Sequence, residues 1–134
     1  MLLVDDEETI RVTLADDLKE VGHRVTAVDS GDAAVEQLTT KTFDVVVTDL
    51  RLPGADGLKV LAAAKERTPR TEVILITAYG TVETAVDAMH KGAFHFVLKP
   101  FLNDEILILV ARVARMRQLE LKRGKPQLTA RRSR

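Results

Sequence analysis

Two short runs, "DVVVT" at 44–48 and "EVILIT" at 72–77, are almost wholly apolar and rich in β-branched residues. A strand with one wet face alternates apolar and polar residues, so a continuous apolar run demands cover on both faces. Each run is followed by a stretch of helical period, and the same alternation recurs along the chain. That pattern is the signature of βα units wound around a parallel sheet. "LLV" at 2–4, "RVTAV" at 24–28 and "FHFVL" at 94–98 complete five strand candidates.

The intervening helices carry their own punctuation. Leu14, Leu18 and Val21 mark the inward stripe of a first helix, which Gly22 ends in a left-handed cap. Ser30 caps a second helix through about Thr39, and Leu58, Leu61 and Ala62 belong to a third, closed before Pro69. Thr81 caps a fourth that Gly92 ends. Asn103 caps a fifth, which persists to about Leu121 before Gly124 and Pro126 break it. Five strands and five helices in strict alternation predict an α/β fold with a doubly wound parallel sheet. Residues 1–121 form one domain in this reading, and 122–134 a basic linker or tail.

At 134 residues and 46% hydrophobic content, the chain suits a single core. It has no cysteine, which excludes disulfides and thiolate chemistry. Acids follow directly on the opening apolar residues in "MLLVDDEETI", a pattern of neither a signal peptide nor a membrane span, so a cytoplasmic setting is expected. The 20 bases balance the 20 acids, yet nine of those bases and only one acid, Glu120, lie at 112–134. The body is therefore acidic, which argues against direct nucleic-acid binding by this domain.

In doubly wound sheets the site lies beyond the carboxyl ends of the strands, at the topological switch point. Asp5, Asp6, Asp49, Thr77 and Lys99 stand at those ends. Three converging carboxylates repel one another unless a cation intervenes or a proton is retained. A hard divalent metal such as magnesium prefers oxygen ligands and keeps several waters. An aspartate beside it can act as a nucleophile towards phosphorus, with Lys99 neutralising charge and Thr77 donating a hydrogen bond. Each residue has a plainer reading: a solvated turn for "DDEE", a strand end for Thr77, a surface lysine for Lys99. Their coincidence at four strand ends favours chemistry. His23, His90 and His95 fall on separate elements without metal-ligand spacing.

"LLVDDE", "VVVTDLRLPGADG", "VILITAYG" and "FVLKPF" resemble, in order and spacing, the signature segments of the receiver domain of two-component response regulators. The resemblance covers residues 2 to about 117. It implies a flavodoxin-like fold of strand order 2-1-3-4-5, with Asp49 as phosphoacceptor from a histidine kinase. It implies magnesium, or manganese in its place, held by Asp5, Asp6, Asp49 and the backbone carbonyl of Arg51. Thr77 and Phe96 would form the switch pair, with phenylalanine where tyrosine is common, and Lys99 would contact the phosphoryl group before a cis Pro100. Arg51 and Tyr79 would flank the path of the attacking water. Such a domain assists its own phosphorylation and dephosphorylation without being a conventional turnover enzyme.

"TAYGTVETAVDAMHKGAFHFVLKPF" is similar in wording to receivers of NtrC-like activators, which precede an ATPase domain and a DNA-binding domain. Transcriptional output is then expected through the surface of the fourth helix, fifth strand and fifth helix, with a homodimer there. "ILILV" at 106–110 exceeds what one inward stripe buries. Leu107, Val110, Ala114 and Leu121 continue at heptad-like spacing, interrupted by Arg117. The output domain is absent from these residues, so a free-standing receiver that docks to a partner stays open. An aspartyl-phosphate phosphohydrolase of dehalogenase type would want a second aspartate two residues after the nucleophile, where this chain has Arg51.

Overall fold

The computed structural model describes residues 1–130, with side chains through Leu121. The elements are β1 (Leu2–Val4), α1 (Glu8–Glu20), β2 (Thr26–Val28), α2 (Gly31–Thr40), β3 (Val45–Asp49), α3 (Gly57–Arg67), β4 (Glu72–Thr77), α4 (Val82–His90), β5 (His95–Leu98) and α5 (Asn103–Ala130). The strands form one sheet in the order β2-β1-β3-β4-β5, every pair parallel.

Alternate residues of the apolar runs serve two cores. Leu2, Val4, Val46, Val73 and Leu75 face α2, α3 and α4, where Ala34, Leu38, Val60, Leu61 and Ala88 cover them. Leu3, Val45, Val47, Ile74 and Ile76 face α1 and α5, where Leu14, Leu18, Ile106 and Val110 cover them. Both faces are dry, which is why β3 and β4 show no polar alternation.

Local chemistry sets the helix ends. Ser30 Oγ accepts the Ala33 N–H at 3.1 Å, and Thr81 and Thr84 exchange side chain and backbone bonds in a reciprocal capping box. Asp56 caps α3 by accepting the Lys59 N–H at 2.9 Å. Gly22 and Gly92 both take φ of +100°, and each is followed by a residue whose N–H returns to the last turn: His23 to Leu18 O at 3.1 Å, Ala93 to Ala88 O at 3.0 Å. These are paired Schellman closures on α1 and α4.

Several boundaries differ from the sequence reading. β2 is Thr26–Val28 rather than 24–28, because it is an edge strand and its single partner β1 offers only Leu2–Val4. β3 ends on Asp49 itself, which still pairs with Ile76. Val21 is the exposed C-cap of α1, not part of its stripe, and Ala62 is exposed while Val60, Leu61 and Ala64 face the core. Asn103 begins α5 without capping it: its amide donates to Asp17 on α1 at 2.8 Å, and Glu105 reaches back to the Leu102 N–H at 3.0 Å. The helical backbone of α5 continues past Leu121 to Ala130. Gly124 and Pro126 therefore lie within it, at intrinsic costs of about 1 and 3 kcal/mol in a helix interior. Residues 131–134 of the expected tail lie outside the described residues.

Close backbone packing anchors the loop between β3 and α3. A Cβ on Gly31 would collide with the carbonyl of Ala55, and one on Gly54, at φ +76°, with the carboxylate of Asp32. Asp32 Oδ1 accepts the Ala55 N–H at 3.0 Å, and the Gly31 N–H donates to Pro53 O at 3.2 Å. In an exposed helix Gly→Ala stabilises by about 1 kcal/mol. At Gly31 the sign reverses: Gly31→Ala lowers the urea midpoint, whereas the exposed control Ala62→Gly costs only its propensity. A Gly31→Ala protein as stable as the parent would show that the loop yields freely.

Candidate functional site

The connection after β1 passes to α1 on one face of the sheet, and the connection after β3 passes to α3 on the other. Central strands β1 and β3 therefore splay their following loops apart, and the crevice lies between them. Asp5 and Asp6 follow β1, Asp49 ends β3, Thr77 ends β4 and Lys99 follows β5.

Lys99 Nζ donates to Asp49 Oδ2 at 2.7 Å and to Glu7 Oε1 at 2.6 Å, and stands 3.3 Å from Asp5 Oδ2. Its own backbone N–H is held by the Thr77 carbonyl at 2.8 Å, and the Lys99–Pro100 peptide is cis. Burial works against the ammonium charge, but the bonds to Asp49 and Glu7 and the charges of Asp5 and Asp49 outweigh it. The Lys99 pKa is held above the ordinary lysine value.

Asp5 is fully buried. Its Oδ1 accepts the Glu7 N–H at 2.8 Å, while Oδ2 has no hydrogen bond, Lys99 being within ion-pair distance but outside bonding geometry. Burial pushes its pKa up, against the Glu7 N–H and the Lys99 charge, and the Asp49 charge adds to the rise. Asp49 is also buried and its Oδ1 accepts the Arg51 N–H at 3.1 Å, which folds the start of the β3–α3 loop back over the carboxylate. Oxygens of Asp5, Asp6 and Asp49 all lie within 4.8 Å of one another. A buried carboxylate oxygen without a donor, beside two further carboxylates and one ammonium, is a donor set suited to a hard divalent cation.

Thr77 is buried, and its Oγ1 accepts the Tyr79 N–H at 3.1 Å. Phe96, on β5, is half-buried with its ring edge against Gly80 in the β4–α4 loop. The structure thus brings Asp5, Asp6, Asp49 and Lys99 together, holds Thr77 on the adjoining strand end, and leaves Phe96 outside the cluster. The Arg51 guanidinium lies 4.3 Å from the centroid of the exposed Tyr79 ring. His23, His90 and His95 take no part; His95 Nδ1 accepts the Phe96 N–H. Sequence reasoning did not single out Glu7, although the third acid of "DDEE" was the available signal.

Residues 1–111 match the response regulator receiver domain family. The chain is 43% identical to the response regulator protein FleR of Pseudomonas aeruginosa over 85% of its own length, and 43% identical to the transcriptional regulator NtrC of Klebsiella pneumoniae over 82%. It spans 24% of the length of each of these relatives. Among solved structures, the receiver domain of NtrX from Brucella abortus superposes with a TM-score of 0.75 at 34% identity, covering 84% of this chain and 95% of that one. The strand order and the two-faced helical cover agree with that likeness, and the chain belongs to the response regulator receiver domain family of two-component systems.

Proposed function

We propose that Asp49 accepts a phosphoryl group from a histidine kinase and that the modified domain controls transcriptional output, as befits a chain similar to NtrC and FleR. The observation that carries this reading is the Lys99 ammonium lodged between the carboxylates of Asp49 and Asp5, with Asp5 Oδ2 left without a donor. One Asp49 carboxylate oxygen forms the new bond to phosphorus as the bond from phosphorus to the donor nitrogen breaks. Lys99 and the Thr77 hydroxyl then hold phosphoryl oxygens. Asp5, Asp6, Asp49 and the Arg51 carbonyl would hold magnesium, or manganese in its place. That ion supplies neutralisation of the charge gathered on the phosphoryl oxygens. Arg51 and Tyr79, stacked on each other, shield the acyl phosphate and set its lifetime. The domain assists its own phosphorylation and dephosphorylation, and the setting is the cytoplasm. No helix among the described residues is long and apolar enough to cross a membrane.

Asp49→Asn should reduce phosphoryl incorporation from acetyl phosphate about a hundredfold or more, because the amide is a poor nucleophile. Excess chelator should have a comparable effect on the parent. Stable incorporation into Asp49→Asn at the parental rate would overturn the assignment.

Asp5 gives a second test, independent of phosphorylation. Its folded pKa is raised, so the ionised form is penalised by folding. The penalty is present above that pKa and is relieved as pH falls through it. Without metal, Asp5→Asn should therefore be more stable than the parent at pH 7.5, and the gap should narrow on acidification. Magnesium should stabilise the parent more than the variant, which keeps Asp6 and Asp49 but loses one carboxylate. Urea melts with chelator or magnesium read both effects. An Asp5→Asn protein no more stable than the parent at neutral pH contradicts the argument.

Output through α4, β5 and α5, by homodimerisation, is part of the same proposal. Val82, Val86, Met89, Leu98 and Leu102 are exposed apolar residues there. In the "ILILV" run Ile106, Leu109 and Val110 are buried, so the excess over one inward stripe is confined mainly to Ile108, 64% exposed. Val110 faces the core, so Leu107, Val110, Ala114 and Leu121 form no common outer seam. Val86→Glu with Met89→Lys should leave stability within about 0.5 kcal/mol, since both sites are exposed. It should prevent dimers of the phosphorylated protein in sedimentation. Parental dimers that persist in this variant would place the contact elsewhere.

A further inference from the structure

Lys99 has three N–H donors and is surrounded by three carboxylates, those of Glu7, Asp49 and Asp5. Two of those donors are spent on Glu7 and Asp49. A phosphoryl group arriving on Asp49 draws the ammonium towards its own oxygens, so each contact that holds Lys99 in its present place resists that shift. Asp5 and Asp49 are buried, and each is fixed by a backbone N–H, from Glu7 and Arg51 respectively. Glu7 differs on every count. Its side chain is 58% exposed, and among the described residues its carboxylate makes no hydrogen bond except that to Lys99. It occupies the N-cap position of α1 and yet its side chain does not cap the helix. Room exists for it to move, because Glu7 and Lys99 border an open hollow of about 400 Å³ shared with Ile10, Ala78 and Phe101.

We propose that Glu7 is a positioning residue that occupies Lys99 in the resting protein and competes with the phosphoryl group for that ammonium. The inference rests on the function proposed above. Phosphoryl binding then draws Lys99 away from Glu7, and the strength of the Glu7 contact sets how tightly the phosphoryl group is held. The residue acts through Lys99 and touches no reacting atom.

Beryllofluoride, which mimics a phosphoryl group on a carboxylate, tests the competition by binding alone. Affinity is read from amide shifts of Thr77 in magnesium-saturated protein, with magnesium affinity titrated separately in the absence of fluoride. Glu7→Ala should bind beryllofluoride roughly two- to fivefold more tightly than the parent, the range an exposed ion pair represents. Glu7→Asp keeps the charge but is one methylene short of Lys99, and it should show a similar gain with parental magnesium affinity. Unchanged or weaker binding in Glu7→Ala overturns the proposal. Tighter binding in Glu7→Ala with parental binding in Glu7→Asp also overturns it, since loss of negative charge alone would then suffice. A parent that takes up no beryllofluoride with magnesium would defeat the proposed function, and the competition with it.

Discussion

Lys99 reaches from the end of β5 past β4 to Asp49 at 2.7 Å and to within 3.3 Å of Asp5, so that one ammonium faces two buried carboxylates on strands that are not its neighbours. Burying an ion costs several kcal/mol after relaxation, and a lone buried carboxylate would sooner keep its proton. The cluster is tolerable only because all the strands are parallel and deliver their carboxyl ends to one edge. An antiparallel strand in place of β5 would carry Lys99 to the opposite end. Even so the charges are unbalanced: among the described residues Lys99 alone is within ion-pair distance of Asp5, Glu7 and Asp49, and Asp6 adds a fourth carboxylate beside them. Asp5 shows the imbalance, with a raised pKa and an oxygen that Lys99 approaches only to 3.3 Å, outside hydrogen-bonding geometry.

Most of the architecture was legible because it is set by local physics. The unbroken apolar runs of β3 and β4 report two dry faces, and Ser30, Thr81, Gly22 and Gly92 report helix ends through bonds made within a few residues. Where the reading failed, a long-range partner had decided the outcome. β2 is short because β1 is short. Asn103 looked like a cap, but an Asp17 from α1 claims its amide. Val110 belonged by spacing to an outer seam, and only the approach of α5 to Leu3, Val47 and Ile76 turns it inward. Glu7 was passed over for the same reason: 92 residues separate it from the Lys99 that gives it meaning.

The two halves of the site are held unequally. On the β3 side, Asp49 is clamped by the Arg51 N–H, the Gly57 N–H closes the loop onto Leu50 O at 2.8 Å, and Asp32 pins the loop at Ala55. A Cβ at Gly57 would strike the carbonyl of Asp49 itself. Here α3 begins against the strand that carries Asp49, and it buries Val60, Leu61 and Ala64. Preorganisation of this kind keeps a reacting carboxylate in one geometry.

On the β4 and β5 side the packing is thinner. α4 buries only Ala88, and Val82, Val86 and Met89 lie exposed along it. Its link to the cluster runs through Thr77, whose hydroxyl holds the Tyr79 N–H and whose carbonyl holds the Lys99 N–H, and through Gly80, against which Phe96 rests. Under the proposed function, a phosphoryl oxygen that takes the Thr77 hydroxyl as a donor draws on the side chain that now braces the start of this loop. Moving a two-state element from minor to major population takes a few kcal/mol of differential contact. A handful of bonds at the site can supply that for a helix so lightly anchored, whereas α3 would have to open a packed core. The direction in which the domain can respond is thus set by where its burial is least.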